Sequence, residues 1–143
     1  MLEWRWTKNP RPGRSAMTRR TPPIRIKRVY DPPEGNDGAR VLVDRLWPRG
    51  LSKEAAALTL WLKAVAPSPE LRAGFCHDPR HWDEFRRRYL AELAGNGDEA
   101  MGQLLTLARR GPVTLLYAAR DTRYNNAVVL AAYLSDHIKD IES

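Results

Sequence analysis

Two apolar runs constrain the fold of this chain more than any other feature: Val41–Val43 within ARVLVD, and the stretch PVTLLYAA at 112–119. Neither alternates apolar with polar residues, so neither has a side to give to water, and both read as strands covered on both faces. Such a sheet needs helices laid over it, and the intervening sequence supplies them. In HDPRHWDEFRRRYLAELAG, Trp82, Phe85, Tyr89 and Leu93 fall at spacings of three and four, with Asp78 as N-cap, Pro79 at the first position and Gly95 and Gly97 closing the helix. DEAMGQLLTLARRG (98–111) turns Met101, Leu104, Leu105 and Ala108 inward, and NNAVVLAAYLSDHI (125–138) does so with Ala127, Leu130, Ala131 and Leu134. The pattern predicts an α/β three-layer sandwich, with a small, mainly parallel sheet of about four strands flanked by helices.

The remaining segments fit that plan. IRIKRVY (24–30) reads as the first strand and DPPEGNDGA as a surface loop. Ser52 is placed to cap a short helix, and PELRAGF (69–75) to form another with Pro69 at its start. LTLWLKAVAP (58–67) fits a third strand or a helix about equally.

Length and charge bound the function. The 143 residues suffice for one domain and are too few for two of ordinary size. No apolar run of membrane-spanning length occurs, and a single cysteine, Cys76, cannot form an internal disulfide, which suits the cytoplasm. The net charge of +7 suggests a nucleic-acid partner until it is located. Residues 1–28 hold nine Lys/Arg against Glu3 alone, whereas residues 29–143 hold 15 against 16 Asp/Glu. The basicity therefore belongs to the N-terminal segment, so nucleic acid is a weakly supported partner that would have to engage this arm. Residues 1–23 have no structural period and are expected to form a disordered, basic extension to a single domain at 24–143; with Met17 within it, residues 1–16 read as an upstream-start extension in preference to a functional arm.

In an open parallel sheet, ligands collect beyond the carboxyl ends of the strands. The first strand ends in Arg28, Tyr30 and Asp31, the second in Asp44, Arg45, Trp47 and Arg49, and the last in Arg120, Asp121, Tyr124 and Asn125. Parallel strands put these groups on one rim. The segments RVYDPP, RVLVDRLWPRG, APSPELRAGFCHDPRHWDEFRRRYLAEL and VTLLYAARDTRYNNAVVLAAYL together resemble the YeaO-like family, domain of unknown function 488, over about residues 26–134. The resemblance implies a fold and a set of motif positions, DRLWPRG and HDP-x-x-W-x-x-F above all, but no activity.

The rim residues support two kinds of role each. Arg45 and Arg49 can hold a phosphate or carboxylate through forked hydrogen bonds, with Asp44 orienting them and Gly50 letting the backbone approach; equally, Asp44 can pair with an arginine to fasten the loop. Asp121 suits a general base, a ribose-hydroxyl acceptor or a helix cap, and Trp47 a flat ligand wall or a core residue. His77, on the family motif, suits acid/base chemistry or a loop hydrogen bond; with His81 it lacks the further ligands a metal needs, so no metal is expected. Cys76 beside His77 reads as an incidental buried thiol. Glycine-rich dinucleotide and phosphate-loop motifs are absent, and no cofactor is expected. The sequence thus points to a charged strand-end cleft for an anionic or nucleotide-like small molecule, with Asp121 or His77 as candidate proton carriers and Asn125 lining the site. The competing reading is a nucleic-acid-binding or regulatory module using the basic arm.

Overall fold

A computed structural model of the protein describes residues 24–76, 78–95 and 98–142. These form four strands, β1 (Ile24–Arg28), β2 (Ala39–Leu42), β3 (Leu60–Trp61) and β4 (Val113–Tyr117), paired in the order β1-β4-β2-β3. Each pairing is parallel, with Leu115 opposite both Ile26 and Val41. The helices are α1 (Lys53–Ala56), α2 (Pro69–Phe75), α3 (Trp82–Gly95), α4 (Asp98–Arg110) and α5 (Asn126–Glu142). None is long and apolar enough to cross a membrane. The basic N-terminal segment, residues 1–23, lies outside the described residues.

Apolar residues stand on both faces of the central strands because each face meets a different layer, and the two layers are unequal. Val41, Val113, Leu115 and Tyr117 face the main core, built from Phe85, Tyr89, Leu93, Leu104, Leu130 and Leu134 of α3, α4 and α5. On the opposite face Leu42, Leu116 and Val29 pack with Ala56 of α1 and with Trp47, Leu51 and Trp61. The second outer layer is therefore a one-turn helix and an aromatic loop, which is all that the short chain between β2 and β3 can supply.

The lower half of that thin face is ionic. The alternation in IRIKR turns Ile24 and Ile26 to the main core and leaves Arg25 and Lys27 beside Asp37. Arg40, only 4% exposed, pairs with Asp37 at 2.6 Å and donates from Nε and Nη2 to the Ala56 carbonyl at 3.1 and 2.8 Å. A strand arginine thus satisfies carbonyls at the C-terminus of α1, the end where a cation is favoured.

Segment 58–67 takes the strand alternative, but only over two residues. Leu60–Trp61 pairs with β2, and Lys63–Val65 then makes a 3-10 turn. The predicted helix from Asp78 begins as a 3-10 turn, Pro79–His81, whose N-cap Asp78 accepts the Arg80 N–H at 3.0 Å. Cys76 departs from expectation. Its thiol is exposed, because the residue ends α2 in the left-handed conformation at φ 49° and leaves the helix surface there.

Candidate functional site

The carboxyl ends of β1, β2 and β4 converge, and hydrogen bonds from their own charged residues lock the rim. Arg28 donates from Nε to the Ala119 carbonyl at 2.9 Å and from Nη2 to the Ala118 carbonyl at 3.1 Å, tying β1 to β4. Its guanidinium also lies 5.0 Å from the Tyr30 ring centre. Asp44 accepts the Ala118 N–H at 2.9 Å, tying β2 to the same segment. Tyr30 donates to the Arg49 carbonyl at 2.8 Å and so fixes the loop after β2 against the end of β1.

Between these ends lies a cleft of about 290 Å³. Phe75 and Phe85, stacked at 4.5 Å, contribute apolar surface from α2 and α3, and Tyr30, Leu46 and Trp47 add more from the strand-end loops. Leu46, 62% exposed, stands at the edge of this lining. Trp47 packs against the thin face and also borders the cleft. Its indole donates to the Leu51 carbonyl at 2.6 Å and meets Trp61 edge-on at 5.4 Å, while the ring still lines the cleft. Polar groups come from Asp44, Arg49, Arg72, Asn125 and Asn126.

Asn125 and Asn126 bring the start of α5 to the cleft. Asn125 is 2% exposed; its side chain accepts the Val128 N–H at 3.1 Å and donates to the Asp121 carbonyl at 2.9 Å, the geometry of a helix N-cap. Asn126 donates to the Val43 carbonyl at 3.0 Å, anchoring α5 to the end of β2. Asp121 accepts the backbone N–H groups of Arg123 and Tyr124 at 2.9 and 3.0 Å, so its carboxylate organises the turn before α5 and does not line the cleft.

The two arginines of DRLWPRG part company. Arg49 lines the cleft, whereas Arg45 lines a neighbouring hollow with Val65, Ser68, Tyr89 and Glu92. Gly50 adopts φ 76° with open space where a Cβ would lie, so its part is the sign of φ and not a close approach. Among the sequence candidates Asp44, Trp47, Arg49 and Asn125 meet in one cleft, Arg45 and Asp121 lie beside it, and His77 falls outside the described residues. Arg72 and Asn126 were not foreseen. Arg72 occupies an exposed helix position whose sequence carries no mark of a site, but Asn126 adjoins Asn125 at a strand-to-helix junction and was readable there.

Beneath the cleft, Tyr89 donates to the Val65 carbonyl at 2.5 Å. Burial pushes its phenol far above the usual range, and the nearby Asp44 and Glu92 carboxylates add to that, so Tyr89 remains a donor. Burial also raises Tyr117, whose surroundings include Arg28, Asp31 and Asp121.

Comparison with known proteins gives a family. Uncharacterised protein YeaO of Escherichia coli is 50% identical over 111 residues, covering 78% of this chain and 96% of YeaO. Uncharacterised protein Rv3073c of Mycobacterium tuberculosis is 42% identical over 112 residues, covering 78% of this chain and 93% of its own length. No solved structure matches. Residues 23–142 match the model of a family described as the inactive DUF488-N3 subclade, and with that span and those identities the chain belongs to the YeaO-like DUF488 family.

Proposed function

We propose that the strand-end cleft binds an anionic, nucleotide-like small molecule and holds it without chemical turnover. The observation that carries this reading is the meeting of Arg49 and Arg72 with an aromatic wall in a single cleft. Neither guanidinium has a carboxylate within ion-pair distance among the described residues, so both charges are available to a ligand. The N-terminus of α5, brought to the cleft by Asn125 and Asn126, adds partial positive charge. Trp47, Phe75 and Phe85 supply apolar surface for a flat group, and Asp44 favours a ligand with a hydroxyl beside its anion over a bare polyanion. The word "inactive" in the family description and the structural engagement of Asp121 support binding over acid/base catalysis.

Titration with adenosine monophosphate, inorganic phosphate and adenosine, followed by thermal shift and calorimetry, tests this. At a hundredfold excess over Kd the monophosphate should stabilise the fold by about 2.7 kcal/mol, a rise of roughly 5 °C or more in Tm. Phosphate and adenosine alone should each bind at least tenfold more weakly, and Arg49→Ala and Arg72→Ala should each lower affinity tenfold or more. Absence of stabilisation of the wild type by any of the three would remove the claim.

A further inference from the structure

The hollow on the far side of the 64–68 segment holds a feature that the cleft does not explain. Arg45 Nε is buried and has no hydrogen-bond partner among the described residues. Nor does Arg45 have a carboxylate within ion-pair distance there. A buried, unpaired guanidinium N–H is rare in a folded protein, and here it belongs to an arginine that is half-buried as a whole and borders a hollow. The hollow beside it measures about 240 Å³. At about 30 Å³ for each water, that is room for roughly eight non-hydrogen atoms.

The groups around the hollow define the partner. Glu92 lies on its wall, with its two oxygens accepting from the Ser68 N–H at 2.9 Å and the Ser68 hydroxyl at 2.6 Å. Those two bonds fix the carboxylate and leave it further acceptor capacity. The Ser68 hydroxyl itself accepts from the Leu71 N–H at 3.2 Å as the N-cap of α2, so this acidic corner is rigid. Ala64, Val65, Ala66 and Leu93 make the remaining wall apolar. The hollow is therefore bordered by one fixed negative charge, by a half-buried arginine with no carboxylate within ion-pair distance among the described residues, and by a small apolar surface. A simple anion would satisfy Arg45 and meet repulsion from Glu92; a simple cation would meet the reverse. A molecule that bears both charges satisfies both.

We propose that this hollow is a second binding site, separate from the strand-end cleft, for a small zwitterion of the α-amino-acid class. Arg45 takes its carboxylate, Glu92 its ammonium group, and Val65 and Leu93 a short aliphatic side chain. L-valine, with eight non-hydrogen atoms, is the natural probe.

Nuclear magnetic resonance titration of the full chain tests the proposal, observing arginine Nε–H signals and the methyl groups of Val65 and Leu93. L-valine at millimolar concentration should produce saturable shifts at Arg45, Val65 and Leu93. Isobutyrate and isobutylamine, which carry one charge each, should bind at least tenfold more weakly. Arg45→Lys keeps the charge but removes the Nε–H, and should weaken valine tenfold or more. Glu92→Gln keeps an acceptor for Ser68 while removing the negative charge; it should weaken valine and strengthen isobutyrate, a reversal that mere loosening of the fold would not produce. Retained amide spectra confirm that both variants fold. The proposal is overturned by an absence of saturable shifts, which would leave water as the partner of Arg45, by equal affinity for valine and isobutyrate, or by shifts confined to Arg49 and Arg72. Because these signals are distinct from those of the cleft, the result stands whether or not adenosine monophosphate binds there.

Discussion

Asp37, 1% exposed, is a carboxylate that the fold has enclosed and then surrounded with donors. Burial on its own would push its carboxyl upward; the Glu34 N–H, Lys27 and Arg40 outweigh it and bring the group down to about 2. A folded-state value below the unfolded one means that the stabilisation is fully present above about pH 4 and is lost as pH falls toward 2. The shift corresponds to about 2 kcal/mol. Asp37→Asn should therefore lower stability by roughly 2–4 kcal/mol at pH 7, leaving Arg40 buried beside a neutral amide, and should flatten the acid limb of the stability curve. Urea unfolding between pH 2.5 and 7 checks this, and an unchanged acid limb in the variant would contradict it. Nothing in GNDGAR distinguishes Asp37 from a loop aspartate, because its burial arises from three strands brought together by the fold. The same limit applies to the site. Asp44, Trp47, Arg49 and Asn125 were legible because strand ends in a parallel sheet point one way. The divergence of Arg45 from Arg49 was not, since four residues of loop impose no periodicity and each side chain follows a different wall.

At the scale of elements, two helices end on residues that are not glycine but adopt the left-handed conformation. Ala57, at φ 49° and ψ 51°, closes α1 and returns its N–H to the Lys53 carbonyl; Cys76 closes α2 in the same way onto Arg72. Left-handed geometry costs an L-residue about 1–2 kcal/mol, while glycine adds roughly 0.5–1 kcal/mol of unfolded-state entropy. Ala57→Gly should thus stabilise the protein by about 0.5–1 kcal/mol. The same change one residue earlier, Ala56→Gly, removes a fully buried methyl from a helix and should destabilise by about 1–2 kcal/mol. Opposite signs at adjacent positions, read from denaturation midpoints, are the expected outcome, and equal signs would refute the account. Elements long enough to repeat their period were readable: α3, α4 and α5 each show two or more turns of apolar spacing, and the central strands contribute the apolar runs Val41–Val43 and Leu115–Ala119. LTLWLKAVAP was not, because the pairing strand lasts two residues and the following 3-10 turn three, too short for either period to emerge.

For the molecule as a whole, the segment 64–68 is the partition between the cleft and the Arg45 hollow, with Pro67 on one side and Ala64, Val65, Ala66 and Ser68 on the other. It has little regular structure of its own. Two groups on α3 hold it: Tyr89, through the Val65 carbonyl, and Glu92, through Ser68. The Tyr89 ring is fully buried against Phe85, so the hydroxyl is fixed by core packing and not by the loop it holds. Tyr89→Phe keeps that packing and removes one buried donor, leaving the Val65 carbonyl without it. A loss of about 1–3 kcal/mol in global stability follows. Its distribution is the more telling measurement. The amides of Val65 and Ala66, which close the 3-10 turn onto Leu62 and Lys63, and that of Ser68 should exchange hydrogen faster in the variant by a larger factor than the amides of β4. Both sites should also bind their probes more weakly, because they share the wall that has loosened. Uniform acceleration across the partition and the central strand would instead mean that Tyr89 stabilises the core alone, and that the two hollows are held in shape independently of each other.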